Sequence, residues 1–347
     1  MSVILRAFSL LCMISFIFGT SLVYAETITV IDDRGKAIEV PYPLERAVFL
    51  VENAMNTMYA VGGAGKITGR GSIWKEDIKA PFFRAIDPSY DQMKIVSSHN
   101  DQVDLESLSA ADPQVVFLWS ADWSDDNTKT IEETLGVPVY GVFIDSLDDM
   151  KKQPLTFAKM LGNESAGQKV VDIMNKYIDI VDQRTGTVPP ADRPRVLWMW
   201  GDIYGTAGLQ STANDLIKMS GGVNVLENSD ISDKWMEHPV LNIETISELD
   251  PDVIYMWYNE KLDPSDIMSG EGDFAAWKDL TAVKNKRVYE VSDPFVFDFH
   301  SPRLPLALIA MAKNLYPDKY ADVDLNQTVD SYFSDLFHVH YPGYAPA

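Results

Sequence analysis

Two fifteen-residue stretches of this chain match each other without a gap. Residues 105–119 read LESLSAADPQVVFLW, and residues 243–257 read IETISELDPDVIYMW. Glu106/Glu244, Ser109/Ser247, Asp112/Asp250, Pro113/Pro251, Val115/Val253 and Trp119/Trp257 are identical, and most other pairs exchange one apolar residue for another. Each copy reads as a short helix stopped at Asp-Pro, because a proline pushes the residue before it out of the helical region. An apolar, β-branched strand follows. It lacks the polar alternation of a half-exposed strand, as expected when helices cover both faces of a parallel sheet. A helix-then-buried-strand unit used twice predicts an α/β fold of two Rossmann-like lobes with parallel sheets.

Other segments fit that plan. Residues 47–51 (AVFLV) and 195–200 (RVLWMW) read as the first core strand of each lobe, and 54–62 as a helix closed by Gly62-Gly63. Residues 145–184 are helical in pattern, with Ala166, Val170, Ile173, Tyr177 and Val181 on one buried face. A breaker run over 185–194 contains Pro189-Pro190, and the tail carries helices at Leu304–Leu315 and Leu325–Phe337. The expected organisation is a leader (1–25), a first α/β lobe (26–144), a helical linker (145–188) and a second α/β lobe (189–347). A long α-helix joins the lobes, with a ligand cleft between them. Such a crossover is stiffer than an extended hinge and predicts only modest closure.

The first 25 residues predict export. Arg6 supplies a positive charge, residues 7–23 are mostly apolar, and Val23-Tyr24-Ala25 places small residues at the −3 and −1 positions, so cleavage is expected before Glu26. Cys12, the only cysteine, follows Leu11 rather than a small residue. It does not read as a lipid-attachment site and leaves with the leader, so disulfides and thiol chemistry are excluded. The 29 Lys and Arg against 51 Asp and Glu give a net charge of −22. That balance argues against nucleic acid and against an anionic bilayer as partners. No later apolar run is long enough to insert in a membrane. A free, monomeric periplasmic protein is expected.

With these elements in order, the chain resembles the helical-backbone class (class III) of periplasmic solute-binding proteins, which serve ABC importers of iron complexes, haem and cobalamin. TITVIDDRGKAIEVPYPLERAVFL resembles that family's opening, an antiparallel strand pair followed by the first core strand. MYAVGGAGKITGR resembles its Leu-Gly-rich turn and next strand. The two repeat copies, the second with GGVNVLENSDISDKW ahead of it, resemble its paired lobe segments. VKNKRVYEVSDPF and SPRLPLALIAMAKNLYP resemble its final strand and closing helices. The resemblance covers nearly all of residues 26–340. It implies a binding protein rather than an enzyme, with no cofactor of its own, that hands a captured metal complex to ABC permease subunits. It also implies a surface Glu on each lobe that pairs with permease arginines. The position it indicates in the first lobe holds Asn56, leaving Glu52 as the substitute; in the second lobe Glu244 is a candidate and Glu227 another.

Ligands of open α/β lobes sit beyond the carboxyl ends of the parallel strands. That rule points to loops at 52–53, 71–74, 97–101 and 119–123 in the first lobe, and at 200–204, 235–238, 257–259 and 293–303 in the second. Six of the eight tryptophans fall there: Trp74, Trp119, Trp123, Trp200, Trp235 and Trp257. Trp119, Trp200 and Trp257 end apolar strands and read at least equally as core. Trp74, Trp123 and Trp235, with Tyr204 and Tyr258, are the candidate contacts for a flat or greasy ligand or a cation.

His99 and His238 each precede a repeat copy, and His300 sits in DFHSPR beside Asp298 and Arg303. Imidazoles from opposing lobes suit the coordination of a chelated Fe, Ni, Cu or Zn ion, so His99, His238 and His300 are the candidate metal ligands. No His-Glu-x-x-His or paired-Cys motif suggests a cage for a bare ion. Arg303 is the candidate clamp for a carboxylate or oxyanion. The leading function is capture of a chelated metal: a ferric siderophore, haem, cobalamin or a nickel chelate. Capture of an oxyanion such as molybdate is the alternative. An exported hydrolase is a distant third, since no nucleophile elbow or P-loop is present.

Overall fold

The computed structural model describes residues 26–73, 76–97, 103–121, 125–144, 146–200, 202–259 and 261–341. A hairpin of β1 (Thr27–Ile31) and β2 (Ala37–Pro41) opens it. The first lobe then alternates strand and helix: β3 (Ala47–Phe49), α1 (Glu52–Ala60), β4 (Ile67–Gly71), α2 (Glu76–Ile86), β5 (Lys94–Ser97), α3 (Leu105–Ala110), β6 (Val115–Trp119), α4 (Asp126–Leu135) and β7 (Val139–Val142). Its five strands are parallel, in the order β5-β4-β3-β6-β7. Two helices, α5 (Lys152–Met160) and the 22-residue α6 (Glu164–Thr185), cross to the second lobe. There β8 (Arg195–Met199), α7 (Thr212–Met219), β9 (Val223–Asn224), α8 (Ile243–Leu249), β10 (Val253–Met256), α9 (Pro264–Ser269), α10 (Thr281–Lys284) and β11 (Val288–Glu290) follow. They build a parallel sheet in the order β11-β10-β8-β9, and α11 (Leu304–Leu315) and α12 (Leu325–Phe337) complete the described helices.

The two α/β lobes stand as the repeat predicted. The crossover, read from sequence as one helical run, is divided. Gly162 takes a φ of +68°, a conformation that strains L side chains, and α6 starts afresh beyond Asn163. The long joining helix is therefore α6. Its buried stripe of Val170, Val171, Met174, Tyr177, Ile178 and Val181 follows helical spacing, and the helix packs on α5 and α11.

The repeat is built the same way twice. Asp104 caps α3 by accepting the Glu106 N–H, and Asn242 caps α8 by accepting the Thr245 N–H. Past each helix the Asp of Asp-Pro enters the left-handed region, with φ 47° at Asp112 and 39° at Asp250. An arginine ahead of each lobe's first strand brackets that turn. Arg46 Nε donates to the Asp112 carbonyl at 2.7 Å, and Arg195 Nη1 to the Asp250 carbonyl at 3.3 Å. The Arg46 N–H donates to the Gln114 side chain (3.0 Å) and the Arg195 N–H to Asp252 (2.8 Å), two side chains at the same repeat position. Backbone groups that start each sheet are satisfied by the turn beside them.

The largest hydrophobic core runs through both lobes, and each lobe has a smaller one of its own. In the first, Phe49 and Phe117 are register partners on β3 and β6 and stack at 4.2 Å. Burying each such ring is worth about 1.5–3 kcal/mol. Between lobes, Phe82 on α2 meets Phe295, Phe333 and Phe337 at 5.5, 5.3 and 5.1 Å. Phe295 also lies against two cations, the Arg303 guanidinium at 3.9 Å and the Lys79 ammonium at 5.1 Å. Each cation holds a carboxylate of its own lobe: Lys79 pairs with Glu52 at 3.0 Å and Arg303 with Asp298 at 3.4 Å.

The hairpin is fastened to the first lobe through Asp33. Its carboxylate accepts the Tyr140 hydroxyl (2.6 Å), the Gln153 amide (3.0 Å) and the Phe143 N–H (3.3 Å). Burial nevertheless pushes its pKa up to about 6, with the Asp32 carboxylate adding to the rise. Because the folded value lies above the unfolded one, the folded state takes up a proton between about pH 4 and 6 that the unfolded chain does not. This contribution to stability is full below the unfolded pKa and is lost as pH rises through 6. Thermal unfolding should therefore show an Asp33-dependent gain on going from pH 7.5 to 5. Its slope is at most about 1.4 kcal/mol per pH unit. Asp33→Asn should lose that increment, and an identical pH profile in the variant would contradict the assignment.

Candidate functional site

A parallel sheet opens a crevice where its strand order reverses. In the first lobe that point lies between β3 and β6, and in the second between β8 and β10. Trp119 ends β6, while Trp200 and Trp257 follow β8 and β10 directly. Trp119 is 46% exposed and stands edge-on to Phe143 at 5.9 Å and, across the lobes, to His300 at 6.1 Å. Trp200 and Trp257 are half-buried, 6.0 Å apart, and both pack on Phe299. Tryptophans thus stand at both reversal points. Sequence reading weighed these three at least equally as core; the signal that finds them is the reversal of strand order at the repeat's own strand ends.

The predicted contacts are distributed unevenly. Trp74, His99 and Trp123 lie outside the described residues. Tyr204 and Tyr258 are half-buried, the former in a turn where its N–H donates to Asp202 at 2.8 Å. Trp235 is 57% exposed and ends the short 3-10 helix Ser232–Trp235 in the second lobe. His238, three residues on, lies edge-on to Trp200 at 5.3 Å, with its Nε2 3.6 Å from Glu237. His300 is 22% exposed at its side chain, and its Nε2 hydrogen-bonds the Thr212 hydroxyl at 2.7 Å. Burial pulls its pKa down against the opposing pull of Asp298 and Glu237. Among the described residues, no three His, Cys, Asp or Glu side chains gather around a point a metal ion could occupy.

Arg303 and Glu52 occupy the junction rather than an open loop. Arg303 is 1% exposed, its Nε donates to Ser301 (3.1 Å), and its face covers Phe295. Glu52 starts α1 beside Lys79, where burial raises its pKa against the pull of Lys79 and Arg303. Glu244 and Glu227 are exposed. Glu106, the repeat partner of Glu244, is exposed as well, and each stands in the first turn of its helix. A helix in a parallel β-α-β unit runs back against its strands, so both first turns sit on the edge where the strands end. The identity of Glu106 and Glu244 in the repeat is the sequence signal for this pair.

The family described as Periplasmic binding protein matches residues 49–294. The chain belongs to that family. Among curated relatives, the molybdate-binding protein MolA of Haemophilus influenzae is 23% identical over 97% of this chain and 97% of its own length. A periplasmic solute-binding protein from Veillonella parvula superposes with a TM-score of 0.71 at 22% identity, covering 91% of this chain and 94% of that one. The Helicobacter pylori CeuE nickel–histidine complex superposes with a TM-score of 0.70 at 19% identity, covering 91% and 97%. At such identities the solved structures establish a shared fold, the two-lobed periplasmic binding protein. Among the described residues of this family member, no helix is long and apolar enough to cross a membrane.

Proposed function

We propose that this protein is the periplasmic substrate-binding component of an ABC importer, and that it captures a metal chelate between the lobes and delivers it to the permease. The observation that carries this reading is the aromatic lining of both reversal points by Trp119, Trp200 and Trp257, with His300 edge-on to Trp119 between the lobes. Indole faces and an imidazole suit an organic shell around a metal better than a bare ion. A second reading, a molybdate-type oxyanion, is supported by the full-length likeness to a molybdate-binding protein. Against it, the arginine expected to clamp an anion is 1% exposed and its Nη2 is turned to Asp298, while its buried Nη1 has no hydrogen-bond partner. Docking falls to Glu106 and Glu244, the exposed acidic pair on the cleft edge. Metal and mass analysis of protein purified from its native host tests the reading directly: a bound organic metal complex supports capture, and bound molybdate supports the second reading.

Trp119→Ala should weaken ligand binding by about 10- to 100-fold, the range of a central aromatic contact. Its half-exposed ring contributes little to the core, so the ligand-free melting temperature should barely move. Titration of both proteins with the native ligand checks this, and equal affinities would remove Trp119 from the site.

A further inference from the structure

The turn of the opening hairpin sends an arginine across the first lobe. Arg34, between β1 and β2, has a fully buried side chain. Its Nε and Nη2 donate to the Asp32 carboxylate at 2.9 and 2.7 Å, and Nη2 also donates to the Val139 carbonyl at 3.3 Å. The guanidinium passes close over β7 at Gly141, where a Cβ would stand 1.9 Å from Nε. Nη1 then reaches the Ser120 hydroxyl at 3.3 Å and the Thr128 hydroxyl at 3.4 Å, with the Asp125 carboxylate at 3.9 Å.

Those three residues gather at the end of β6. Ser120 directly follows Trp119; its hydroxyl donates to Asp125 at 2.6 Å and its N–H to the Val142 carbonyl at 3.1 Å. Asp125 caps α4 by accepting the Thr128 N–H at 2.8 Å. Burial opposes a charge on Asp125, but hydrogen bonds from Ser120 and Thr128, together with the Arg34 charge, hold its carboxyl below the usual range. One planar fork thus ties the hairpin turn to the end of β6 and the start of α4.

The hairpin has other fastenings. Asp33 holds it through Tyr140, Gln153 and Phe143, and Lys36 pairs with Glu132 at 2.9 Å. As a source of stability alone, a buried ion pair does no better than well-packed apolar side chains. What the fork adds is fixed geometry at the residue after Trp119, a ring 46% exposed whose aim follows the backbone that carries it. We infer that Arg34 is a positioning residue for the cleft: through Ser120, Asp125 and Thr128 it holds Trp119 edge-on to His300 without touching the cargo itself. The inference rests on the capture reading above, in which Trp119 is a ligand contact.

The test begins without ligand. The mature protein is labelled with 5-fluorotryptophan, and the fluorine signals of Trp119, Trp200 and Trp257 are assigned by Trp119→Phe, Trp200→Phe and Trp257→Phe. Arg34→Lys keeps a charge beside Asp32 but loses the fork, so it should move the Trp119 signal and leave the other two in place. Arg34→Gln with Asp32→Asn removes both charges of the buried pair and should do the same, should the lysine variant fail to fold. An unmoved Trp119 signal, or equal movement of all three, overturns the role. Affinity is then read with nickel(II) carrying two equivalents of L-histidine and with a ferric trihydroxamate. For a probe that binds wild type, Arg34→Lys should weaken binding about tenfold, as loss of an orienting partner does. In a Trp119→Ala background the same change should cost less than about twofold, because the two residues act as a unit. Undiminished affinity in Arg34→Lys, or the full loss repeated in Trp119→Ala, overturns action through Trp119. Failure of both probes to bind wild type counts against the capture reading, while the fluorine signals still decide whether Arg34 positions Trp119.

Discussion

Arg303→Ala is expected to lower the unfolding free energy by about 3–5 kcal/mol, the usual result of removing one partner from a buried ion pair. Arg303 is 1% exposed and touches three things at once: Asp298, the Ser301 hydroxyl and the face of Phe295. Its loss leaves Asp298 without its cation and removes one of the two cations on the Phe295 ring. It also weakens the electrostatic relief of Glu52, whose carboxylate burial already disfavours. From sequence alone the same substitution would be expected to weaken ligand binding and leave the fold intact. Urea unfolding separates the two expectations: a normal midpoint with lost ligand affinity would restore Arg303 as a clamp. Arg303→Met combined with Asp298→Asn should recover part of the loss, since it removes both charges and keeps most of the volume.

Reversing both cleft-edge acids, Glu106→Lys with Glu244→Lys, is expected to abolish uptake in cells while ligand affinity stays within about twofold. Both side chains are exposed and stand at repeat-equivalent places, one on each lobe. A lysine in a helix's first turn is unfavourable by only about 0.3–1 kcal/mol, too little to unfold the protein. The relevant measurements are transport in whole cells and stimulation of the importer's ATPase, with Glu227→Lys as the control at the other exposed acid considered. Undiminished uptake by the double variant would sink the docking pair, and loss of uptake in the control would move the docking surface to residue 227.

How much was legible follows the range of the physics involved. Local periodicity and turn chemistry placed the two repeat units, and the tail helices Leu304–Leu315 and Leu325–Phe337 lie where their patterns put them. The break at Gly162 was visible as a residue, but a buried stripe on both sides disguised it as a pause in one helix. Trp119, Trp200 and Trp257 looked equally like core because a tryptophan ending an apolar strand is ambiguous until the strand order is known. The packing of Arg303, Glu52 and Lys79 around one ring was hidden for a different reason. Their partners come together only when distant segments meet around Phe295, and no spacing encodes that meeting. His300 is similar, since its bond to Thr212 joins residues 88 positions apart.

The twin arginine brackets at Arg46 and Arg195 divide the labour within each sheet. Both fasten the edge where strands begin, by bonds to turn carbonyls that are indifferent to any cargo. The opposite edge, where Trp119, Trp200 and Trp257 stand, is left out of that scaffolding. Substitutions at that edge therefore leave the strand-start fastenings of both sheets in place, and the two edges of each sheet can vary separately.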